Sequence, residues 1–257
     1  MLQAKKINEI NCRQYGSPPH SIVLIHGGPG AAGEMAPLAR ILSDSLGILE
    51  PLQTASTIYR QIAELKNVLG KNSTQPVTLI GYSWGAWLSF IFAAEYPLLA
   101  KKLILISSGP FEEKYAVAIQ QTRLNRLAED ERKEVENLLK ILEKTDTKLK
   151  NRLLARLGFL FAKADAYDPI FHQPDESAVQ IQFDIYKSVW AEAAEFRRSG
   201  RLLNYGQHIT CQVIAIHGDY DPHPAAGVER PLSAVLKNFR FILLNDCGHK
   251  PWVEKYA

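Results

Sequence analysis

A serine flanked by glycines, Gly81-Tyr82-Ser83-Trp84-Gly85, stands between the apolar run Val77 to Ile80 and a stretch of helical pattern that begins near Trp84. Glycine on both sides allows a sharp strand-to-helix turn that lifts the serine to a helix N-terminus. A bare G-x-S-x-G also occurs as a tight turn with an ordinary serine; the strand before and the helix after it mark Ser83 as a candidate nucleophile. Serine attacks poorly at neutral pH without a base, and the base needs a third group to hold its tautomer. His249, in Cys247-Gly248-His249-Lys250, follows the apolar run Phe241 to Leu244 and is the candidate base. Asp221, in Gly218-Asp219-Tyr220-Asp221-Pro222, follows Val213 to Ile216 and is the candidate acid, with Asp219 and Asp246 as neighbours in sequence.

His26-Gly27-Gly28-Pro29-Gly30 follows a further apolar run, Ile22 to Ile25. Acyl transfer through a tetrahedral intermediate needs backbone N–H donors for the oxyanion, and Gly28 and Trp84 are the candidates. Glycines let the backbone approach a substrate closely, while Pro29 donates nothing and stiffens the loop. His20, His172, His208, His217 and His223 are read as histidines without a chemical role, His217 and His223 being nearest the acid. A rival constellation, His217-x-Asp219-x-Asp221-x-His223, places four potential metal ligands at alternate positions. Pro222 and Pro224 oppose an extended segment there, and a metal would leave Ser83 and His249 unexplained, so neither metal nor cofactor is expected. The Cys247 thiol beside His249 is read as packing.

The runs that precede these motifs, with Leu103 to Ile106, are continuously apolar rather than alternating, as in parallel strands buried on both faces. Helical pattern lies between them at Ala36 to Ser45, Ser56 to Leu69, and Trp84 to Tyr96, where Trp87, Phe90, Ile91 and Ala94 share one face. Alternating strand and helix predicts an α/β fold with a mostly parallel, doubly wound sheet. Gly47 to Glu50 reads as a further strand and residues 5 to 15 as an antiparallel edge.

The alternation stops after Pro110. From Phe111 to Leu157 there is no glycine or proline, and apolar residues such as Val135, Leu138, Leu139, Leu142, Leu149, Leu153 and Leu157 fall at helical spacing. Helical pattern resumes near Ser177 to Arg198, after the Asp168-Pro169 and Gln173-Pro174 breaks. Residues 110–205 are therefore expected to form a helical lid inserted into a core made of 1–109 and 206–257. The lid would lie over the carboxyl ends of the strands. Phe159, Phe183, Tyr186 and Trp190, with Leu160 and Phe161, are candidates to line an apolar substrate pocket, although any one of them serves equally as the lid's own core.

The segments HGGPG, GYSWGA, HGDYDPHP and NDCGHKPW, each after a strand, resemble the α/β-hydrolase superfamily across most of the chain outside the lid. HGGPG with G-x-S-W-G is similar to its prolyl aminopeptidase-like (proline iminopeptidase) branch, which removes N-terminal residues from small peptides. The resemblance implies an α/β-hydrolase fold with Ser83 as nucleophile, His249 as base, Asp221 as orienting acid, and Gly28 and Trp84 as oxyanion donors. The order Ser, Asp, His is the one this architecture uses. Peptidases of that branch usually carry Asp-Gln-Arg-Gly where this chain reads Glu50-Pro51-Leu52-Gln53-Thr54. Glu192 and Glu195 are the lid carboxylates available to hold a substrate's amino group, and both also suit a solvated helix face. Serine at the elbow disfavours the dehalogenase and epoxide-hydrolase chemistries, which use aspartate there. The expected function is hydrolysis of an ester, amide or related acyl bond through an acyl-enzyme on Ser83. Prolyl-type aminopeptidase activity and a non-catalytic ligand receptor on the same scaffold are the alternatives. Members often add a final helix; only eight residues follow His249 here, as in a short branch or a trimmed chain.

Composition limits the partners. Thirty Lys and Arg against 27 Asp and Glu leave a net charge of +3, too little without a clustered patch to draw nucleic acid or an anionic membrane. No apolar run approaches the ~20 residues of a membrane span, and MLQAKKINEI lacks a signal-peptide core. Three widely spaced cysteines without a C-x-x-C give neither a disulfide framework nor a zinc ribbon. A soluble, cytoplasmic protein acting on a small molecule or short peptide is expected.

Overall fold

The structure, a computed structural model, describes residues 11–144, 147–170 and 179–254. Its main element is a seven-stranded sheet. The strands are β1 (Cys12–Tyr15), β2 (His20–Ile25), β4 (Gly47–Pro51), β5 (Val77–Tyr82), β6 (Ala100–Ile106), β8 (Gln212–Gly218) and β9 (Phe239–Leu244). They lie in the order β1-β4-β2-β5-β6-β8-β9. All neighbours are parallel except β1, which runs antiparallel to β4. The expected edge thus exists at Cys12–Tyr15; residues 5–10, His172, the Gln173-Pro174 break and Ser177 lie outside the described residues.

The continuous apolar runs divide by strand period. Val23, Ile25, Leu79, Leu103, Leu105, Val213 and Ala215 face a large cluster with α2 (Ile58–Asn72), α3 (Trp84–Glu95) and α9 (Ala226–Val235). Leu24, Ile48, Ile80, Tyr82 and Ile106 face a smaller cluster with Met35, with Ala39 of α1 (Ala36–Leu42) and with Trp252. A strand covered on both faces has no polar side to show, which is why these segments read as unbroken apolar runs. β9 differs: it is an edge strand, with Leu243 exposed and Arg240 turned to solvent. α3 differs from the expected amphipathic helix, since every residue from Trp84 to Ala94 is buried and no solvent face remains. At the start of α2, the Thr57 hydroxyl accepts from the Arg60 N–H at 3.3 Å, and the Glu192 carboxylate accepts from the Ile58 N–H at 2.8 Å.

The stretch between β6 and β8 is helical, and its packing divides it. α4 (Ile119–Arg126), α5 (Glu129–Lys144) and α6 (Thr147–Asp165) share an apolar cluster of their own around Leu124, Val135, Leu138, Leu142, Leu157 and Leu160. α7 (Phe183–Arg198) joins the two bodies: Phe183 enters that cluster, whereas Ile185, Val189, Ala193 and Phe196 pack into the main core. Phe111, and Leu202 of α8 (Arg201–Asn204), also belong to the main core. A two-stranded ladder of β3 (Ala31–Ala32) and β7 (Gln180–Ile181) ties the segment before α7 to the glycine-rich loop after β2.

Candidate active site

Register brings the carboxyl ends of the central strands together. Tyr82 at the end of β5 pairs with Ile106 at the end of β6, Ile106 pairs with Ile216 of β8, and Gly218 pairs with Leu244 of β9. The residues that follow these ends are Ser83, Ser107, Asp221 and His249.

Ser83 occupies the sharp turn between β5 and α3 at φ 51°, ψ −111°, a conformation that costs a non-glycine residue of order 1–3 kcal/mol. The flanking glycines make room for it. A Cβ at Gly81 would collide with the Gly85 carbonyl, and one at Gly85 with the carbonyls of Ile25 and His26. The Ser83 N–H is held by the Ile106 carbonyl at 3.0 Å. Gly28, in the loop after β2, takes φ 40°.

The Ser83 hydroxyl lies 3.1 Å from His249 Nε2, and His249 Nδ1 lies 2.7 Å from Asp221 Oδ2. A carboxylate only accepts, so Nδ1 carries the proton and Nε2 presents its lone pair to the serine. The geometry selects Asp221 among the nearby acids: Asp219 accepts instead from the Cys247 N–H at 3.3 Å, and Asp246 bonds Tyr167. Asp221 is fully buried, which alone would raise its pKa. Its electrostatic interactions with His249, His223 and His217 and the hydrogen bond from His223 outweigh burial and hold the carboxyl well below the usual range.

His217 and His223, expected to have no chemical role, both meet the acid. Asp221 Oδ1 accepts from the His223 N–H at 2.9 Å and from His223 Nδ1–H at 2.8 Å. The His217 Nε2–H donates to the His223 carbonyl at 2.7 Å and lies 3.4 Å from Asp221 Oδ2. Burial pushes His223 down to about 4 against the pull of Asp221. Asp-Pro-His is itself a signal for this contact, because an aspartate side chain commonly accepts from the N–H two residues on.

Of the four residues of the rival metal constellation, His217, Asp221 and His223 meet one another, whereas Asp219 turns to the Cys247 N–H. Asp221, His223 and His249 are the set among the described residues whose donor atoms, within 4.8 Å of one another, could surround an ion. Here the Nδ1 protons of the two imidazoles occupy the carboxylate. Burial raises the Cys247 thiol to about 12, so it stays protonated beside His249.

The loop bearing His249 is fixed from several directions. The His249 N–H donates to the Asp165 carbonyl at 2.9 Å, at the end of α6. The buried Glu254 carboxylate accepts from Gly248 N–H at 3.0 Å, Tyr167 N–H at 3.0 Å and Asp168 N–H at 2.8 Å. The Tyr82 ring sits between His249, 5.1 Å away, and Trp252, 4.8 Å away. Two ion pairs flank the site: Lys250 with Glu34 at 2.6 Å, and Arg123 of α4 with Asp165 at 2.7 Å through its Nε. Burial opposes the charge of Glu34, and Lys250 outweighs it to keep that carboxyl ionised.

The candidate pocket residues are scattered. Phe159 is 54% exposed, with the Arg156 guanidinium 5.2 Å above its ring, and does not line an interior pocket. Phe183 and Leu160 are buried in the cluster shared by α4, α5 and α6, where Phe161 also packs. Trp190 stacks on Trp87 at 5.8 Å and 4°, against the main core. Tyr186 packs against the cluster of α4, α5 and α6, its ring 6.3 Å from that of Phe183, while its backbone nitrogen lies near Gly30 of the loop after β2. Of the two lid carboxylates, Glu192 caps α2 and Glu195 pairs with Arg198 at 2.7 Å on an exposed face.

Among the described residues no helix is long and apolar enough to cross a membrane. Residues 20–256 match the profile of the alpha/beta hydrolase fold family. A proline iminopeptidase of Heyndrickxia coagulans is 25% identical over 262 residues, covering 91% of this chain and 85% of that one. A second proline iminopeptidase, from Lactobacillus delbrueckii subsp. bulgaricus, is 24% identical and covers 92% of this chain and 85% of its own. Among solved structures, VinJ superposes with a TM-score of 0.67 at 17% identity, over 95% of this chain and 89% of that one. The fold, the elbow at Ser83 and the family match together place this chain in the α/β-hydrolase family, with proline iminopeptidases among its relatives.

Proposed function

We propose that this chain is a serine hydrolase that cleaves an ester, amide or related acyl bond through an acyl-enzyme on Ser83. The observation that carries the reading is the continuous relay from Ser83 through His249 to Asp221, at 3.1 and 2.7 Å. His249 Nε2 takes the hydroxyl proton as Ser83 Oγ attacks the substrate carbonyl carbon. Asp221 stabilises the imidazolium that results. The N–H groups of Gly28 and Trp84 receive the oxyanion, a role worth ~3 kcal/mol per donor. The imidazolium then gives its proton to the leaving group as the acyl-enzyme forms. Water, deprotonated by the same histidine, attacks the acyl carbon and releases the acid and free Ser83. Neither metal nor cofactor enters this sequence of steps.

The helices α4 to α6, with the first turns of α7, act as the lid and set substrate choice, and Tyr186 is the lid residue we assign to the pocket. A cytoplasmic setting fits the three cysteines, all of which are free.

Two proline iminopeptidase relatives favour a second reading, removal of an N-terminal residue from a small peptide. That chemistry needs a carboxylate to hold the substrate ammonium. Glu34, Asp165, Glu192 and Glu254 are each engaged already, by Lys250, by Arg123, by the Ile58 N–H and by three backbone N–H groups. Among the described residues these carboxylates near the site already have partners, which favours the ester or neutral-acyl reading. A panel of p-nitrophenyl esters of increasing chain length beside aminoacyl-naphthylamides tests it. The expected result is kcat/KM rising over the first few carbons, by up to ~0.8 kcal/mol of transition-state binding per methylene, then levelling. Turnover confined to substrates with a free α-amino group would instead establish the peptidase. No burst on any ester, with Ser83→Ala equal to wild type, would leave a ligand receptor.

A further inference from the structure

Asp221 is bonded to two imidazoles, not one. Its Oδ2 accepts from His249 and its Oδ1 from both the backbone and the Nδ1–H of His223. Three hydrogen bonds thus reach the carboxylate, and His217 Nε2, whose proton goes to the His223 carbonyl, lies 3.4 Å from Oδ2. The His223 and His249 rings stack, with centroids 4.5 Å apart and planes at 27°. The carbonyl of His223 is fixed in turn by the His217 Nε2–H at 2.7 Å, so ring and backbone of this residue are both held.

We propose that His223 is a positioning residue of the site: its two donors pin Asp221 Oδ1, so that Oδ2 faces His249, and its ring walls the imidazole of the base. This inference rests on the hydrolase reading. His223 never takes the serine proton. It acts through Asp221, whose charge it partly neutralises, and through the orientation of the His249 ring. The charged or titratable groups around it are Asp221 on its own loop, His249 beyond β9, His217 on β8 and Arg123 on α4. Burial keeps its imidazole neutral across the working range, with a single ring proton directed at Asp221.

Two variants separate the donor from the ring. Asn places its amide Nδ2 where His223 carries Nδ1, so His223→Asn keeps a donor to Oδ1 and loses the ring, whereas His223→Ala loses both. The readout is the rate at which a fluorophosphonate labels Ser83 as a function of pH, which requires no knowledge of the natural substrate. Without the Nδ1–H donor, more of the Asp221 charge is directed at His249 and the imidazolium is favoured. In His223→Ala the acid limb of the profile should therefore move up by about half a unit. Its plateau should fall about tenfold, the scale of one hydrogen bond to a charged group. His223→Asn should restore the limb and most of the plateau.

A profile unchanged in His223→Ala would overturn the proposal, and so would His223→Asn as impaired as His223→Ala, which would reduce the residue to packing. Proton NMR gives a readout independent of activity. Two strongly downfield imidazole N–H resonances are expected in the wild type, one of them lost in each variant. If Ser83 takes no label, it is the hydrolase reading that fails. The NMR spectrum then still decides the arrangement, and a single downfield resonance in the wild type would contradict it.

Discussion

The loops after β5, β8 and β9 and the helical block of α4 to α6 lie side by side and are held by different forces. The loops contribute little apolar burial; they are fixed by strand register, by glycines that admit close carbonyls, and by hydrogen bonds between buried groups. The block is held by an apolar cluster and by the Arg123–Asp165 pair between its own helices, and it meets the loops through the Asp165 carbonyl on His249 N–H and through Glu254, which joins Gly248 to Tyr167 and Asp168 just after α6. Groups that must stay within a few tenths of an ångström are built on directional bonds, whereas a body that sets a pocket's shape needs only to keep its volume. Substitutions in the two regions should therefore fail in different ways.

The largest effect is expected in the loops. Asp221→Asn should lower kcat on an activated ester by ~10⁴, because the amide can favour the wrong tautomer of His249 and cannot stabilise an imidazolium. Asp219→Asn keeps an oxygen that can accept from the Cys247 N–H and removes only a charge, so it should cost less than about tenfold. Steady-state kinetics on both, with circular dichroism to show that the fold persists, decide the matter. Greater damage from Asp219→Asn would move the acid. In the block, Phe183→Ala should cost ~3 kcal/mol of stability through the cavity it leaves among Leu157, Leu160 and Ala164. Hydrogen exchange should then rise in α4 to α6 while the labelling rate of Ser83 changes less than about threefold. A labelling rate that collapses with the cluster would show that the two regions are not separable.

The effect least tied to either region is a pH dependence of stability. His26 and His223 are held neutral by burial, His223 at about 4 against an ordinary 6.5. The unfolded chain binds their protons first, so their contribution is complete above about pH 6.5 and is lost as the pH falls below it, for His223 down to about 4. One such histidine gives a slope of ~1.4 kcal/mol per pH unit within that window. Urea denaturation between pH 4 and 7 should show the slope, reduced in His223→Asn. Asp221, held low, adds its own loss only at more acid pH.

Much of this comparison is legible in the residues. Strands covered on both faces leave apolar quartets, and G-x-S-x-G between a strand and a helix marks the turn. The misreadings have physical causes. β9 carries an apolar quartet although it is an edge, because one covered face and a partly exposed Leu243 give the same letters. α9 escapes notice because Pro224 and Pro231 interrupt its pattern, and the ladder of β3 with β7 is two residues long. α7 reads as part of the lid, since spacing shows that a helix has an apolar face but not which body that face meets. The roles of His217 and His223 depend on where a turn directs its side chains. Only the Asp-Pro-His sequence hints at that.

The central claim is that Ser83 is the activated nucleophile. Incubation with a fluorophosphonate followed by peptide mass spectrometry tests it most directly. The account predicts a single adduct on Ser83, lost in Ser83→Ala and slowed by orders of magnitude in His249→Ala. An adduct on another serine, or no adduct after prolonged incubation of the folded protein, would contradict it.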